Sequence, residues 1–208
     1  YRGLSVTHAQ PKKTAPLKES KGIVYRLTAL FALDSFASGF VVQSLLALWL
    51  NERYGFSIGV TGLIFFWLGL LTAVSQLLAA PLAARFGLVN VMVFSHLPAN
   101  IFLMLAPFMP NAALALLMLT LRALLQSMDA PARSSYVMAV VPEDERAASS
   151  SVTNAPRGLA TAFSPAIAGW LLSLSSFGLP LVIGGGLKAI YDLVLWRGFR
   201  ALKPPEEE

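Results

Sequence analysis

Six long apolar stretches follow one another along this chain, and they restrict its fold more than any other feature. A helix needs about 20 apolar residues to cross the hydrocarbon core of a bilayer, and each stretch provides roughly that length. Outer-membrane strands are only about 10 residues long and alternate strictly, whereas these stretches are apolar on all sides. Six such stretches in succession also argue against a soluble helical core. We therefore predict an all-α membrane protein with six transmembrane helices, at residues 24–50, 58–83, 89–108, 112–141, 148–174 and 179–199.

The composition agrees with a lipid environment. Charged residues make up 13% of the 208 residues, against about 25% in soluble domains. The chain has no cysteine, which removes thiol chemistry, and His8 and His96 are too few for a histidine-rich metal site. Its net charge of +5 is spread between apolar stretches and does not form the clustered basic face of a nucleic-acid-binding protein. We expect no cofactor, no metal and no nucleic-acid partner, and no nucleophile–base set indicates an enzyme.

Lysine and arginine predict the orientation in the membrane. An even number of spans places both termini on one side, and almost all basic residues outside the stretches lie there, while the opposite side has Arg53. Cytoplasmic loops are enriched in basic residues, so we expect both termini in the cytoplasm. Residues 1–23 are predicted to form a cytoplasmic linker or tail, 24–199 the six-helix transmembrane domain, and 200–208 a cytoplasmic C-terminal tail.

Charged residues inside the predicted spans point to function. Four of them share one depth, about nine to ten residues (~15 Å) from an end of their spans. They are Asp34, Arg122, Arg157 and Lys188. A charge at the centre of a lipid-exposed helix costs about 2.5–3.5 kcal/mol, so such side chains face partners or a wet cavity. Transporter binding sites lie at this level of the bilayer.

The fourth predicted span carries a polar stripe with members spaced by four, three and four residues, which places them on one helix face. They are Arg122, Gln126, Asp129 and Arg133. The stripe should face a cavity or other helices. Asp129 and Arg133 lie near the cytoplasmic end, where a structural pair is favoured. The span is too long for one straight helix, and Pro131 is the expected kink.

Each intramembrane charge also has a purely structural interpretation, as one partner of a fixed salt bridge. That interpretation is favoured for Lys188 and Asp192, which are spaced as an i,i+4 ion pair in the sixth span. It is also favoured for His96, because one histidine in a span is a weak indication of a proton carrier. The structural and functional interpretations stay open for three residues, Asp34, Arg122 and Arg157.

Several short patterns resemble the major facilitator superfamily, in which an arginine in the fourth helix of a half precedes a long kinked helix. Arg122 is similar to that arginine, although Gln126 follows it by four residues where the family has a glutamine three residues on. The next loop, Pro142-Glu-Asp-Glu-Arg146, is similar to the family's P-x-x-x-R loop. The fifth span contains Ser164-Pro165-Ala-Ile-Ala-Gly169, which keeps the proline and last glycine of a G-P-x-x-G-G-like packing motif.

The loop between the second and third spans also resembles this family, whose motif there is G-x-L-A-D-R-x-G-R-[RK]. Four residues match it: Leu82, Ala83, Arg85 and Gly87. The acidic position is Ala84 and the leading glycine is Ala80, which weakens any gating ion pair at this loop. Because the family's N-terminal half usually keeps this motif best, and because a polar lead precedes the first span, the chain resembles a C-terminal half.

The resemblance covers nearly the whole chain and implies alternating access, in which two six-helix halves rock around a site at the bilayer midplane. The implied partners are the lipid bilayer, a small-molecule solute, and the N-terminal six-helix half or a second copy of the chain. Candidates for the substrate or proton pathway are Asp34, Ser38, Gln43, Arg122, Gln126, Arg157 and Lys188. Candidates for gating or structural motifs are Arg85, Gly87, Arg146, Pro165 and Gly169.

These observations predict a secondary transporter, with proton-coupled efflux by antiport in a bacterial inner (plasma) membrane as the first hypothesis. Asp34 is expected to pair with Arg122 or Arg157 and to release the arginine when protonated. A slight positive excess in the cavity favours an anionic or zwitterionic solute. The alternative is a non-transporting six-helix membrane subunit or assembly partner. Six further apolar spans encoded upstream of Tyr1 would favour the transporter.

Overall fold

A computed structural model describes residues 16–199 of the chain, apart from the side chains of residues 130–132. Within residues 16–199 the chain forms α-helices joined by short connections, and no β-strand is present. The predicted tails lie largely in residues 1–15 and 200–208, outside the described residues. The helices are α1 (Lys21–Gly39), α2 (Gln43–Tyr54), α3 (Ile58–Phe86), α4 (Leu88–Leu105), α5 (Ala112–Leu125), α6 (Asp129–Val140), α7 (Arg146–Leu174) and α8 (Leu179–Phe199), with a 3-10 turn at Ala106–Phe108.

The all-helical architecture agrees with the sequence prediction, and most helix ends fall within a few residues of those expected. By length and apolarity, four helical segments could cross a membrane: Lys21–Tyr54, Ile58–Phe86, Leu88–Phe108 and Leu179–Phe199. The other two predicted spans do not meet this measure. The fourth is divided into α5 and α6, which are 14 and 12 residues long. The fifth is the 29-residue α7, which is long enough but carries many polar residues.

Local sequence signals explain several helix ends. The side chains of Ser57 and Asn111 accept hydrogen bonds from the N–H groups of Val60 and Leu114, and so cap α3 and α5. Gly87 joins α3 to α4 with φ of +84° and ψ of 151°, a conformation that L side chains rarely adopt. This explains the glycine of the loop motif that was recognised in the sequence.

Two of the predicted spans are interrupted. α1 ends at Gly39, and the N–H groups of Phe40 and Val41 turn back to the carbonyls of Ala37 and Ser38, at 3.2 and 3.1 Å. Residues 126–128 separate α5 from α6. The fourth span therefore breaks before Pro131, whose side chain lies outside the described part of the chain. Pro131 falls in the first turn of α6, where a missing N–H costs no intrahelical hydrogen bond.

The core consists of two apolar clusters with a polar layer between them. One cluster joins the ends of α1, α4, α6 and α8 and contains Leu27, Phe31, Met92, Tyr136, Tyr191 and Leu195 among others. The second joins α2, the end of α4, α5 and the start of α8, with Trp49, Leu50, Leu103, Leu119 and Leu181 among its members. Along each helix the charged and amide residues fall between these two sets. The two clusters therefore hold the polar layer near the middle of the bundle.

Small residues let the helices approach closely around this layer. A Cβ on Gly39 would lie 1.8 Å from Ser164 Oγ and 3.0 Å from Pro165 Cδ, so α1 and α7 are in backbone-level contact. A Cβ on Gly185 would lie 2.6 Å from Met104 Cγ, which brings α8 equally close to α4. These contacts agree with a packing role for the Pro165 motif. Gly169, in the same motif, has ordinary contact distance to Leu45.

Two helices leave large apolar side chains uncovered. On α3 these include Leu63, Phe66, Trp67 and Leu77. On α7 they include Leu159, Phe163, Trp170 and Leu174, each more than 60% exposed. Continuous apolar surfaces of this kind are covered by lipid or by another protein surface.

Candidate functional site

The polar layer surrounds a cavity of about 260 Å³. α1, α4, α5, α6 and α8 all contribute to its wall, together with the break between α5 and α6. Its lining residues include Asp34, Ser38, His96, Asn100, Arg122, Gln126, Ser127, Asp129, Arg133 and Lys188. Five of the seven predicted pathway residues therefore meet at one cavity, and Gln43 and Arg157 lie elsewhere.

Asp34 lies at the centre of an ion-pair network. Its Oδ1 accepts a hydrogen bond from Lys188 Nζ at 2.7 Å, and its Oδ2 accepts one from Arg133 Nη1 at 3.1 Å. All three side chains are at most 12% exposed. Lys188 Nζ also donates to Ser38 Oγ at 2.7 Å, one helical turn from Asp34. The aspartate thus joins α1 to both α6 and α8.

The predicted partners of Asp34 were wrong. α1 packs against α8 and brings Lys188 to one carboxylate oxygen, and α6 brings Arg133 to the other. Arg122 lines the same cavity without contacting Asp34. Arg157 points to another position on α1, where its Nε donates to Ser35 Oγ at 3.1 Å.

The predicted ion pair between Lys188 and Asp192 was also wrong. Lys188 binds Asp34, while Asp192 Oδ1 lies 2.8 Å from His96 Nδ1 and Asp192 Oδ2 accepts from Asn100 Nδ2 at 2.9 Å. Asp192 is fully buried, so its charge depends on these two partners on α4. Spacing along one helix could not reveal that each residue finds a better partner on a neighbouring helix.

Arg133 connects the network to aromatic rings. Besides Asp34, its guanidinium binds Asp129, one turn earlier in α6. Its central carbon lies 5.1 Å from the ring centre of Phe31 and 5.6 Å from that of Tyr191, distances at which a cation is attracted by a ring. The local pair of Asp129 and Arg133 expected from the sequence is therefore present, and it extends to a second carboxylate, Asp34 on α1.

The polar stripe of the fourth span faces the cavity, as predicted, although the helix is broken in its middle. All four members line the cavity wall. Gln126 Nε2 lies 3.5 Å from Thr72 Oγ1 on α3. Arg122 differs from Arg133 and Lys188, the other two cations of the cavity wall, because no ion pair within the described residues involves it. Its Nε is inaccessible and has no hydrogen-bond partner, which also holds for the Nε of Arg133.

Gln43 and Arg157 lie outside this cavity. Gln43 is exposed at the start of α2 and borders a mainly apolar pocket of about 570 Å³ between α2 and α3. Arg157 borders an open groove of about 510 Å³ along α7, with Ser35, Asn154 and Thr161. Arg157 therefore lies apart from the three other charges that share its depth, because its helix presents it on a different face.

The loop before α7 connects the start of that helix to the start of α1 and to the end of α6. Arg146 donates from Nε to the carbonyl of Val141 at 3.2 Å, and from Nη2 to that of Met138, so it caps the end of α6. Glu145 accepts hydrogen bonds from the backbone N–H groups of residues 18–20 and from Ser20 Oγ. The Ser20 hydroxyl and these N–H groups lower the pKa of Glu145 to about 2.

The loop between α3 and α4 is simpler. Arg85 is exposed, and its guanidinium carbon lies 5.3 Å from the ring centre of Phe86. Among the described residues no acid pairs with it, in line with the alanine at the acidic position of the motif.

The contacts of four residues were not predicted from the sequence: Asn100, Arg133, Glu145 and Gly39. Asn100 is one turn after His96, so a polar pair on α4 could have been noticed. Glu145 precedes a helix whose own N-terminus it does not cap, and its partners lie about 125 residues earlier. Nothing local indicates such a contact. Within residues 16–199 no group of three or more histidine, cysteine, aspartate or glutamate side chains is placed to hold a metal.

The sequence matches the family model described as Major Facilitator Superfamily over residues 28–208. The chain belongs to the major facilitator superfamily. It is therefore an integral membrane protein of a family of membrane transporters, as the motifs around Arg146 and Pro165 indicated. The family match covers every helix from α2 onwards and most of α1.

A yeast relative is described as a membrane protein as well. The chain is 25% identical over 190 residues to a protein of Saccharomyces cerevisiae described as an uncharacterized membrane protein (YJR124C). The match covers 91% of the chain and 42% of the yeast protein. The chain thus spans about two fifths of the length of this relative.

Proposed function

We propose that this chain is the C-terminal six-helix half of a secondary transporter, which moves a small solute by alternating access. The observation that carries the proposal is the cavity between two apolar clusters, walled by three cations and two carboxylates from α1, α5, α6 and α8. Buried charges at this depth in a membrane bundle mark substrate or ion pathways. A merely structural bundle would not need an open polar cavity at the same level.

The proposed membrane arrangement has six crossings. In it, α1 and α2 together form the first crossing, and α5 and α6 together form the fourth, so that each break lies beside the polar layer. Broken helices are tolerated in membranes where they line a cavity. The excess of basic residues on one side of the predicted spans supports a cytoplasmic location for both termini. A bacterial plasma membrane stays a prediction, and the yeast relative is not bacterial.

The proposed partner is a second six-helix half, either N-terminal in the same protein or a second copy of this chain. Support comes from α7, which exposes Phe163 and Trp170 next to the polar groove that holds Arg157. A surface that mixes apolar side chains with an arginine suits a protein partner better than lipid tails alone.

The proposed coupling group is Asp34. As a carboxylate it holds Lys188 and Arg133 at once. When a proton binds, the carboxyl loses its charge, and both cations are free to move or to bind solute. Protonation of Asp34 would thus loosen α1 from α6 and α8. Binding of a proton would in this way be coupled to a movement of α1 relative to those helices. Efflux by proton antiport is one direction that this device could drive.

The test uses the full-length protein in proteoliposomes containing a pH-sensitive dye, challenged with a panel of solutes. Wild-type protein should couple solute flux to proton flux, while Asp34→Asn should lose that coupling because the amide cannot release a proton. Asp144→Asn, in the exposed loop before α7, is the matched control and should behave as wild type. Unchanged proton dependence in Asp34→Asn would contradict the coupling role.

The alternative is a non-transporting six-helix subunit, favoured by the uncovered apolar face of α7. The two proposals differ in one measurement. A subunit would bind its partner and yet show no flux of any solute in the same proteoliposomes, whereas a transporter half shows flux that depends on the cavity residues.

A further inference from the structure

Among the described residues, one cation of the cavity wall has no counterion. Arg133 binds Asp34 and Asp129, and Lys188 binds Asp34. Arg122, in contrast, lines the cavity and takes part in no ion pair within residues 16–199, and its Nε is inaccessible to solvent and has no hydrogen-bond partner there. A partly buried guanidinium without a counterion is costly, because it has lost part of its hydration and gains no charged partner in exchange. An anion in the cavity would supply that counterion at the terminal nitrogens of Arg122, since the Nε itself is out of reach.

The charges of the cavity wall define which ligand would do so. The wall holds three cations, Arg122, Arg133 and Lys188, and two carboxylates, Asp34 and Asp129. These five side chains leave one positive charge in excess, so a ligand with one negative charge neutralises them.

The helix break adds to the same attraction. α6 begins at the cavity, where Ser127 and Asp129 line the wall. Met128 precedes this helix and offers no side-chain hydrogen bond to its first turn. The N-terminus of a helix carries partial positive charge from its free N–H groups and stabilises anions. In membrane transporters, helix ends of this kind point at anionic groups of solutes.

The space beside Arg122 within this half suits a small ligand. At about 260 Å³ the cavity is smaller than the roughly 300–1,000 Å³ of sites for drug-sized molecules. Its lining is mainly polar and charged, so a bulky apolar compound would leave these groups without partners. A small, hydrophilic solute fits both properties.

We propose that this cavity binds a small organic monocarboxylate, with its carboxylate on the guanidinium of Arg122. Arginine presents a planar fork of donors that matches a carboxylate with two parallel hydrogen bonds. The inference rests on the proposed transport function and adds the class of substrate to it. Asp34, Arg133 and Lys188 then act as the coupling network, and Arg122 acts as the anion-binding residue.

The test measures binding and flux separately in the full-length protein. Propionate and lactate are the probes, propionamide is the uncharged match, choline is the cation, and citrate is an oversized polyanion. Binding is followed by the thermal unfolding midpoint of the purified protein and by equilibrium binding of radiolabelled propionate. Flux is followed as uptake of the same label into proteoliposomes. Propionate and lactate should stabilise the protein, and the other three compounds should not.

Variants of Arg122 identify the contact. Arg122→Gln should weaken propionate binding roughly 10- to 100-fold, because it removes a charged hydrogen-bond partner. Arg122→Lys keeps the charge and should retain part of the affinity. The control is Arg53→Gln, at an exposed position on α2 beside Phe177, which should bind propionate as wild type does. If Arg122→Gln does not fold, the wild-type comparison of propionate with propionamide still decides the question.

The outcomes separate this inference from the proposed function. Flux of some solute together with propionamide or choline binding as tightly as propionate would overturn the monocarboxylate assignment and leave the transporter in place. Arg122-dependent propionate binding without flux of any solute would support the site and overturn the transport function. Propionate binding that is unaffected in Arg122→Gln would refute the role of Arg122.

Discussion

The two buried aspartates of the polar layer have different surroundings, and this difference defines their expected roles. Asp34 faces two permanent cations, whereas Asp192 faces His96 and the uncharged Asn100. Asp34 therefore holds two charged side chains, and its proposed role is to release both when it binds a proton. Asp192 binds a histidine and an amide that both lie on α4, so its expected role is to hold α8 against α4.

Asp192→Asn should destabilise the full-length protein by about 1–3 kcal/mol, because it removes the charged acceptor that binds His96 and Asn100 in the bundle interior. The measurement is the thermal unfolding midpoint in detergent. Asp144→Asn, in the exposed loop before α7, should unfold as wild type does. An Asp192→Asn protein as stable as Asp144→Asn would show that this buried carboxylate does not hold α4 and α8 together.

At the scale of the helices, the contact between α1 and α7 leaves the least space for an added Cβ among the described glycines. A Cβ on Gly39 would lie 1.8 Å from Ser164 Oγ and 2.7 Å from Ser164 Cβ. The contact lies one turn from Ser38 and the polar layer, so it determines where α1 ends and where the cavity begins. Glycine is required here by space, since φ at this position is helical.

We expect Gly39→Ala to destabilise the full-length protein by about 1–3 kcal/mol, the usual cost of overpacking. The thermal unfolding midpoint in detergent is the measurement. Adding Ser164→Gly should recover part of the loss, because it removes both Oγ and Cβ from the overlap. Gly69→Ala on α3 is the control, since a Cβ there meets no described atom within 4 Å. A Gly39→Ala protein as stable as Gly69→Ala would show that α1 and α7 can separate without cost.

The loop before α7 also determines how helices are arranged, because it connects the start of α7 to the start of α1 and to the end of α6. Glu145 holds the start of α1, and Arg146 holds the end of α6. The contacts connect helices that also carry Asp34 and Arg133, so a movement at the cavity is mechanically linked to this loop. The P-x-x-x-R pattern of the sequence thus has a physical explanation in helix capping.

At the scale of the whole molecule, alternating access requires that the polar layer open to each side of the membrane in turn. Ser127 lies in the break between α5 and α6 and lines the cavity. Because this chain has no cysteine, Ser127→Cys reports on access once any cysteines outside this segment are replaced. We expect a membrane-impermeant maleimide to label Ser127→Cys from either side, and added propionate to slow the labelling.

A matched control comes from the loop before α8. Ser176 is exposed there, and Ser176→Cys should react only from the side opposite the termini. Both reactions are measured in right-side-out and inside-out vesicles. Labelling of Ser127→Cys from a single side under all conditions would contradict alternating access and favour the subunit proposal.

The sequence by itself determined the helices and the residues of the polar layer. Apolar length is a local property, and a helix rises by a fixed amount per residue, so the placement of Asp34, Arg122 and Lys188 at one level followed from counting. The face of the stripe on the fourth span followed from its spacing. The family motifs also lie within short windows, which is why the loop at Arg146 and the proline at Pro165 could be recognised.

Only the tertiary structure decided which charges meet. Asp34 and Lys188 are 154 residues apart, and their contact depends on which faces of α1 and α8 pack together. Equal depth left the angle around each helix open, so Lys188 was wrongly paired with Asp192, and Arg157 lies on a different face from the three charges that share its depth. Among the described residues, the same packing placed an acid beside every cation of the cavity wall except Arg122. Which cation keeps no acidic partner therefore depends on tertiary packing, and this is the physical basis of the proposed anion site.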